Sequence, residues 1–154
     1  MLRKILGAIA GYIVLFIVIF ATFSVAYLVM GANAAFTTGS YDVTMTWIII
    51  SFILGFIAAV VGGYAASVVG KSWGAVKILA GIVLVMGILT AILVAVAPKP
   101  TDGRPAGTAN LEAMSKAQTP LWVCIINPLI GIAGVLVGGS LKKNIGDRAA
   151  VDLQ

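Results

Sequence analysis

The chain has 154 residues, of which 61% are hydrophobic and 10% are charged, and its mean hydropathy is +1.13. Soluble domains carry about 25% charged residues, so this composition argues against an ordinary water-soluble domain and is typical of a membrane protein. The net charge of +5 comes from residues at the ends of apolar segments rather than from one basic face. We therefore expect no nucleic-acid partner.

Two residue types limit the chemistry that this chain can perform. Histidine is absent and cysteine occurs once, at Cys124. The chain therefore lacks the usual general base and haem ligand, and one cysteine cannot form an internal disulfide or a zinc site. We expect no metal and no cofactor. Cys124 lies in an apolar run, which favours a packed, inert thiol over a reactive one.

Four apolar segments are long enough to cross a bilayer, which takes about 20 residues. Pro98 and Pro100 end the third segment, since proline cannot continue a helix, and Pro120 suits the first turn of the fourth. The predicted fold is all-α, a transmembrane four-helix bundle in one domain covering residues 1–154. Its spans are predicted at about 5–30, 43–69, 75–97 and 119–141.

The first span resembles a signal peptide at its two ends. It follows Arg3 and Lys4, and Ala32-Asn33-Ala34 comes directly after it. Signal peptides have apolar regions of about 7–15 residues, whereas this run has about 25. A retained membrane helix is therefore the favoured interpretation.

The Lys and Arg residues are unevenly divided between the two sides of the predicted bundle. Seven lie on one side, namely Arg3, Lys4, Lys71, Lys77, Lys142, Lys143 and Arg148, and three lie on the other, namely Lys99, Arg104 and Lys116. Basic loops stay in the cytoplasm. We therefore expect both termini to be cytoplasmic, with the chain in a bacterial inner (cytoplasmic) membrane.

The outer loop, residues 98–118, is the longest predicted segment outside the bilayer. Its first half, Pro98–Pro105, has the composition of turn and extended chain. Asn110–Lys116 has two alternatives: a short helix lying on the membrane through Leu111 and Met114, or a solvated connector. The connector is the favoured reading.

Spans two and four share a pattern that suggests two parallel two-helix repeats. Ser51 aligns with Asn127, Gly55 with Gly131, and Gly62-Gly63 with Gly138-Gly139.

Small residues let membrane helices approach closely, and several glycines recur on one face of a span. Candidate packing residues are Gly55, Gly62, Gly63, Gly131, Gly134, Gly138 and Gly139, with Gly7 and Gly11 forming a GxxxG pair in span one. A hinge or a homodimer surface is one reading, and ordinary packing within the bundle is the favoured one.

Uncharged polar residues fall at similar depth in the outer half of the four spans. They are Thr22 and Ser24 in span one, Ser51 in span two, Thr90 in span three and Asn127 in span four. An unpaired amide is costly in hydrocarbon, so we expect Asn127 to bond Ser51 or Thr90, beside a kink at Pro128. Hydroxyls bonding their own helices, with Asn127 as a structural clamp, is the favoured reading, and a ligand-contacting layer is the alternative. Together with the glycines, this predicts a bundle that is tight inside and looser outside.

Aromatic residues recur along span one at intervals of three or four. They are Tyr12, Phe16, Phe20, Phe23 and Tyr27, and this spacing places them on one helix face. Lipid-facing or core packing is favoured, and a pigment or lipid-tail groove or a partner-docking face is the alternative.

The Lys-Ile-Leu-Gly start, the Gly-Gly pairs and Asn127-Pro128 resemble small four-span bacterial inner-membrane proteins without an assigned function. This resemblance implies no functional residue. Our leading hypothesis is a non-enzymatic accessory or structural subunit that binds other membrane components, as a homo-oligomer or with a membrane-protein partner. The alternative is a transporter or channel for a small neutral solute through the polar layer. An enzyme is disfavoured because no nucleophile is paired with a base.

Overall fold

A computed structural model describes residues 1–98, 103–105 and 107–151, without the side chains of 110, 111 and 143–151. The described residues form four long helices and two short ones. The long helices are α1 (Leu2–Met30), α3 (Met45–Gly70), α4 (Trp73–Val96) and α6 (Leu121–Val151), and the short ones are α2 (Ala32–Ala35) and α5 (Asn110–Ser115). Lys99 and Asp102 of the predicted outer loop lie outside the described residues, as do the side chains of Leu111, Lys143 and Arg148.

The all-α fold is confirmed, and four helices are long and apolar enough to cross a membrane. In α6 the apolar stretch is Leu121–Lys142, and the helix continues beyond it. Local capping sets the helix starts. The Thr44 hydroxyl accepts from the Trp47 amide at 3.2 Å, and the Ser72 hydroxyl accepts from the Gly74 amide at 3.1 Å. Such caps satisfy amides that have no partner within the helix.

The helices form a ring in the order α1, α3, α6, α4, with α1 and α6 on opposite corners. Their ends define two regions. The terminal end holds the start of α1 and the α3–α4 turn, where Lys71 adopts a left-handed backbone, and the loop end holds the other two connections. A buried core lies toward the terminal end, made of Ala8, Leu15, Ala59, Ala66, Val76, Leu79 and Val135.

At the loop end, two connections fold together into a loop cap, defined as residues 31–44 and the described part of 103–118. Phe36 pairs with Val43 in an antiparallel bridge, and Asp42 pairs with Gln118 in a parallel one. Arg104 donates from Nε to the Ser40 carbonyl at 3.2 Å. The cap thereby ties the chain leaving α4 and entering α6 to the ends of α1 and α3.

The favoured reading of residues 110–116 as a solvated connector is wrong. These residues contain α5, and its Ala113 is fully buried against Tyr27, Ala35 and Phe36. On the exposed side of α5, Lys116 forms an ion pair with Glu112 at 2.8 Å. The hydrogen bond to Glu112 raises the pKa of Lys116, and the negative charge of Glu112 raises it further. The segment is therefore a packed part of the loop cap, held through Ala113.

Candidate functional site

Glycines hold the terminal half of the bundle together by direct backbone approach. A Cβ on Gly63 would overlap the Val135 carbonyl, and one on Gly138 would overlap that of Val60, so α3 and α6 touch without side chains between them. Gly7 meets Gly70 in the same way between α1 and α3. Such contacts suit helices packed by dispersion in lipid.

The remaining predicted packing glycines divide between contact and open space. Gly62 faces Leu15 and Gly134 faces Ala59, where an added Cβ would lie 2.7 Å from the neighbouring Cβ in each case. Gly131 faces Val83 and Gly139 faces Val76, at 2.9 and 2.6 Å from a valine methyl. The prediction of close packing is wrong for Gly55. Nothing lies within 4 Å of an added Cβ there, because the helices have separated at this level.

The predicted repeat is not reproduced in these glycine contacts. The first glycine of one pair, Gly62, faces α1 within its own hairpin. The first glycine of the other pair, Gly138, faces α3 in the other hairpin. The duplication stays a prediction from sequence.

Where the helices separate, they line a cavity of about 310 Å³ that extends from the buried core toward the loop end. All four long helices contribute to its walls, and Gly55 lies on its α3 side. Three of the predicted polar residues line it, namely Ser51, Thr90 and Asn127. Each lies six residues from the loop end of its helix, about 9 Å at 1.5 Å per residue. The direct backbone contacts of Gly7, Gly63 and Gly138 thus lie toward the terminal end, and the open space at Gly55 lies toward the loop end.

The Asn127 amide has no hydrogen-bond partner among the described residues, and its side chain is exposed to the cavity. The expected bond to Ser51 or Thr90 is wrong. Ser51 Oγ donates to the Ile48 carbonyl at 2.7 Å, and Thr90 Oγ1 donates to the Met86 carbonyl at 2.9 Å. These hydroxyls use carbonyls of their own helices, so the Asn127 donors and acceptor remain available to the cavity.

Thr22 and Ser24 do not belong to this site. Thr22 Oγ1 donates to the Val18 carbonyl at 2.7 Å, and neither residue is among those described at the cavity wall. The inward-facing part of α1 is apolar or aromatic instead, with Tyr12, Ile19 and Phe23 at the wall. The polar layer therefore spans three helices rather than four.

Pro128 shapes the wall beside Asn127. Its ring packs against Gly87, where a Cβ would overlap the ring carbons. Since proline has no N–H, the Cys124 carbonyl loses its usual helical donor. Cys124, Gly87 and Pro128 also line an apolar groove of about 400 Å³ on the outer side of the same α4–α6 seam. Only one layer of residues separates cavity and groove.

The aromatic stripe of α1 does not act as a single face. Tyr12 and Phe23 line the cavity, and Tyr27 is only 3% exposed beneath the loop cap. Trp47 stacks edge-on against both Phe23 and Tyr27, with ring centroids 5.9 and 5.7 Å apart. Phe16 and Phe20 alone point outward, at 59% and 68% exposure. The predicted partner face is reduced to these two residues.

The described lining of the cavity carries no acidic or basic side chain. No described group of three metal-binding side chains exists. A charged ligand would therefore meet no counterion in a low-dielectric site. What the site offers is a largely apolar surface with the Asn127 amide and the Tyr12 hydroxyl, which suits a neutral molecule carrying one or two hydrogen-bonding groups.

The sequence predicted the depth of the polar residues but not the cavity wall. Gly55 lines the cavity with open space around it, although glycine was expected to mark close contact. Pro128, beside the predicted polar layer, was the one sequence signal that pointed to this level of the bundle.

Comparison with known proteins provides no independent information on the fold or the site. No family model matches the chain, and neither the curated proteins nor the solved structures provide a match.

Proposed function

We propose that this multi-pass membrane protein is non-enzymatic and binds a small neutral component of the membrane in the cavity between its four long helices. The observation that supports this most directly is the unpaired Asn127 amide in a cavity of about 310 Å³. Leaving such an amide without a partner in an apolar site costs about 1–3 kcal/mol. A bound molecule that pairs with it removes that cost.

Binding is preferred over conduction because the terminal half is closely packed. A solute passing through one chain would have to separate α3 from α6 where Gly63 and Gly138 bring their backbones together. The transporter alternative requires those contacts to open, whereas a binding protein needs only the loop half. An accessory role, in which the bound molecule or the chain serves a larger assembly, is compatible with this proposal.

We also place the terminal end in the cytoplasm and the chain in a bacterial inner membrane. Support comes from the charges. Arg3, Lys4, Lys71, Lys77 and Lys142 lie toward the terminal end, whereas Arg104 and Lys116 lie in the loop cap. A C-terminal fluorescent-protein fusion should be bright and a C-terminal alkaline-phosphatase fusion inactive. The reverse pattern would overturn this orientation.

The binding proposal is tested by what co-purifies with the protein in native-lipid discs prepared without detergent. Four proteins are compared: the natural chain, Asn127→Leu, Gly55→Leu and Gly81→Leu. Gly55 and Gly81 both have open space around an added Cβ, but only Gly55 lines the cavity. Gly81→Leu is therefore the matched control for a larger side chain on a helix.

Mass spectrometry of the extracted small molecules should find one neutral species with the natural chain and with Gly81→Leu. Gly55→Leu should lose it, and Asn127→Leu should retain about one tenth, the equivalent of about 1.4 kcal/mol. An identical profile in all four samples would reject the cavity as a binding site. A stoichiometric protein retained equally in all four would favour the accessory-subunit hypothesis.

A further inference from the structure

The cavity has a gap on one side, between α1 and α4. These helices meet toward the terminal end, where Gly11 approaches Leu79 and Gly74 approaches the Lys4 side chain. The buried residues of α4 are Ala75, Val76 and Leu79, and none follows. Farther along, Met86 and Thr90 line the cavity and yet are exposed. The close α1–α4 contacts are therefore toward the terminal end, and α4 covers the cavity less at the level of Met86 and Thr90.

The gap lies at the depth of the hydrocarbon core rather than at the aqueous surface. Thr90 is six residues from the loop end of α4 and Phe20 is ten residues from that of α1, which corresponds to about 9 and 15 Å. Toward the loop end, Trp47 packs on Phe23 and Tyr27 and closes the space between α1 and α3. Because Thr90 and Phe20 lie that far inside membrane-spanning helices, the open side of the cavity faces lipid.

The lining selects the chemical class of molecule that such a gap admits. A charged headgroup would meet no counterion among the described lining residues, and moving a charge into an apolar site is costly. A hydroxyl, ester or amide group can pair with the donors and acceptor of Asn127. An apolar chain fits beside Tyr12, Ile19 and Phe23 and can leave between the helices. The volume of about 310 Å³ is at the small end for ligand sites, too small for a whole two-chain lipid.

We propose that the cavity takes up a neutral single-chain amphiphile directly from the bilayer through the gap between α1 and α4, with its polar group at Asn127. This inference rests on the proposed binding function and adds both the ligand class and the route. The route requires no passage through the loop cap or the terminal half.

The ligand class is tested with two photoactivatable probes in proteoliposomes of phosphatidylethanolamine and phosphatidylglycerol. One is a monoacylglycerol with a diazirine in its chain, and the other is the fatty acid of the same chain, with both probes presented at about pH 9 so that the carboxyl group is ionised. The monoacylglycerol should label cavity residues of α1, α4 and α6 at least fivefold more than the fatty acid. Gly55→Leu should reduce that labelling at least tenfold, and Gly81→Leu should leave it unchanged.

Equal labelling of the cavity by both probes, or labelling confined to the outer α4–α6 groove, would overturn the ligand class. If the neutral molecule that co-purifies with the natural chain is nevertheless lost in Gly55→Leu, the binding function stands and only this inference fails. If neither species is held in the cavity, both proposals fail together.

The route is tested with a spin label at Thr90→Cys in a Cys124→Ser background, again in proteoliposomes. A mouth open to lipid predicts frequent collisions with oxygen, which concentrates in the bilayer, and few with a water-soluble nickel chelate. Lys116→Cys, in the loop cap, serves as the aqueous reference and should show at least tenfold more nickel collisions. Nickel collisions at Thr90 equal to those at Lys116 would show a water-filled mouth and overturn entry from the bilayer.

Discussion

The terminal and loop halves of the bundle use the same small residues in opposite ways. In the terminal half, glycine brings helices together, as where Gly138 approaches the Val60 carbonyl. In the loop half, Gly55 has nothing within 4 Å of an added Cβ and contributes empty volume to the cavity. The difference shows that a glycine in a membrane helix cannot be assigned to packing by residue type alone. The neighbour that it faces decides its role, since Gly87, at a similar distance from the loop end, packs against the Pro128 ring.

The largest expected effect separates these two kinds of glycine. Gly138→Ala should lower the free energy of unfolding by about 3 kcal/mol, since its methyl group would overlap a backbone that cannot move aside. Gly55→Ala should be neutral or stabilise by up to about 1 kcal/mol, because alanine favours the helix and meets open space. The measurement is thermal stability in detergent, followed by size-exclusion chromatography. Equal losses for both variants would contradict the division into tight and open halves.

The loop cap provides the next largest effect. Arg104 donates from Nη2 to Asn33 Oδ1 at 3.3 Å and lies 5.8 Å from the centre of the Phe36 ring. Arg104→Ala should destabilise the cap by about 1–2 kcal/mol, and the Gln118 amide should exchange hydrogen at least fivefold faster. Glu112→Gln, which removes the exposed Glu112–Lys116 ion pair, should change exchange little. If both variants behave alike, Arg104 does not hold the cap.

Asn127→Leu tests the open half with an effect of opposite sign. Removing an amide that has no partner should stabilise the ligand-free protein by about 1 kcal/mol, as measured in detergent after the bound molecule has been stripped. A structural clamp would behave differently, because replacing a paired amide destabilises. A loss of 1 kcal/mol or more would therefore restore the clamp reading favoured by the sequence.

The smallest effect is expected at the outward aromatic residues of α1. Phe20→Ala should change stability by less than about 0.5 kcal/mol, since the Phe20 side chain is 68% exposed and loses few contacts within the chain. Tyr27→Ala, at a buried position under the loop cap, should cost about 3 kcal/mol. A Phe20→Ala loss seen in native membranes but not in purified protein would point to a partner on that face.

Periodicity and composition were sufficient to predict the four long helices, because each span must satisfy its own backbone in an apolar environment. They also predicted that Ser51, Thr90 and Asn127 share one depth. They could not predict that Asn127 lacks a partner, since that depends on the distance between α4 and its neighbours. The spacing of Tyr12 through Tyr27 defines a broad arc, and only the positions of α3 and the loop cap determine which aromatic residues turn inward.

The loop cap was missed for a different reason. Its bridges join residues far apart in the chain, such as Asp42 with Gln118, and no local pattern specifies such pairs. Ala113 is a small residue on a short helix, and its burial follows from the neighbouring Phe36 and Tyr27. Contacts of this kind depend on the assembled bundle.

The backbone contacts at Gly63 and Gly138 have a consequence for how such a protein can evolve. These two glycines do not line the cavity, whereas Leu15 and Ala59 both line it and belong to the core. Exchanges at positions 51, 90 and 127 would change the cavity lining and leave these glycine contacts in place. On the proposed binding function, proteins with this fold would come to bind different small molecules through changes at three side chains, while Gly63 and Gly138 stay unchanged.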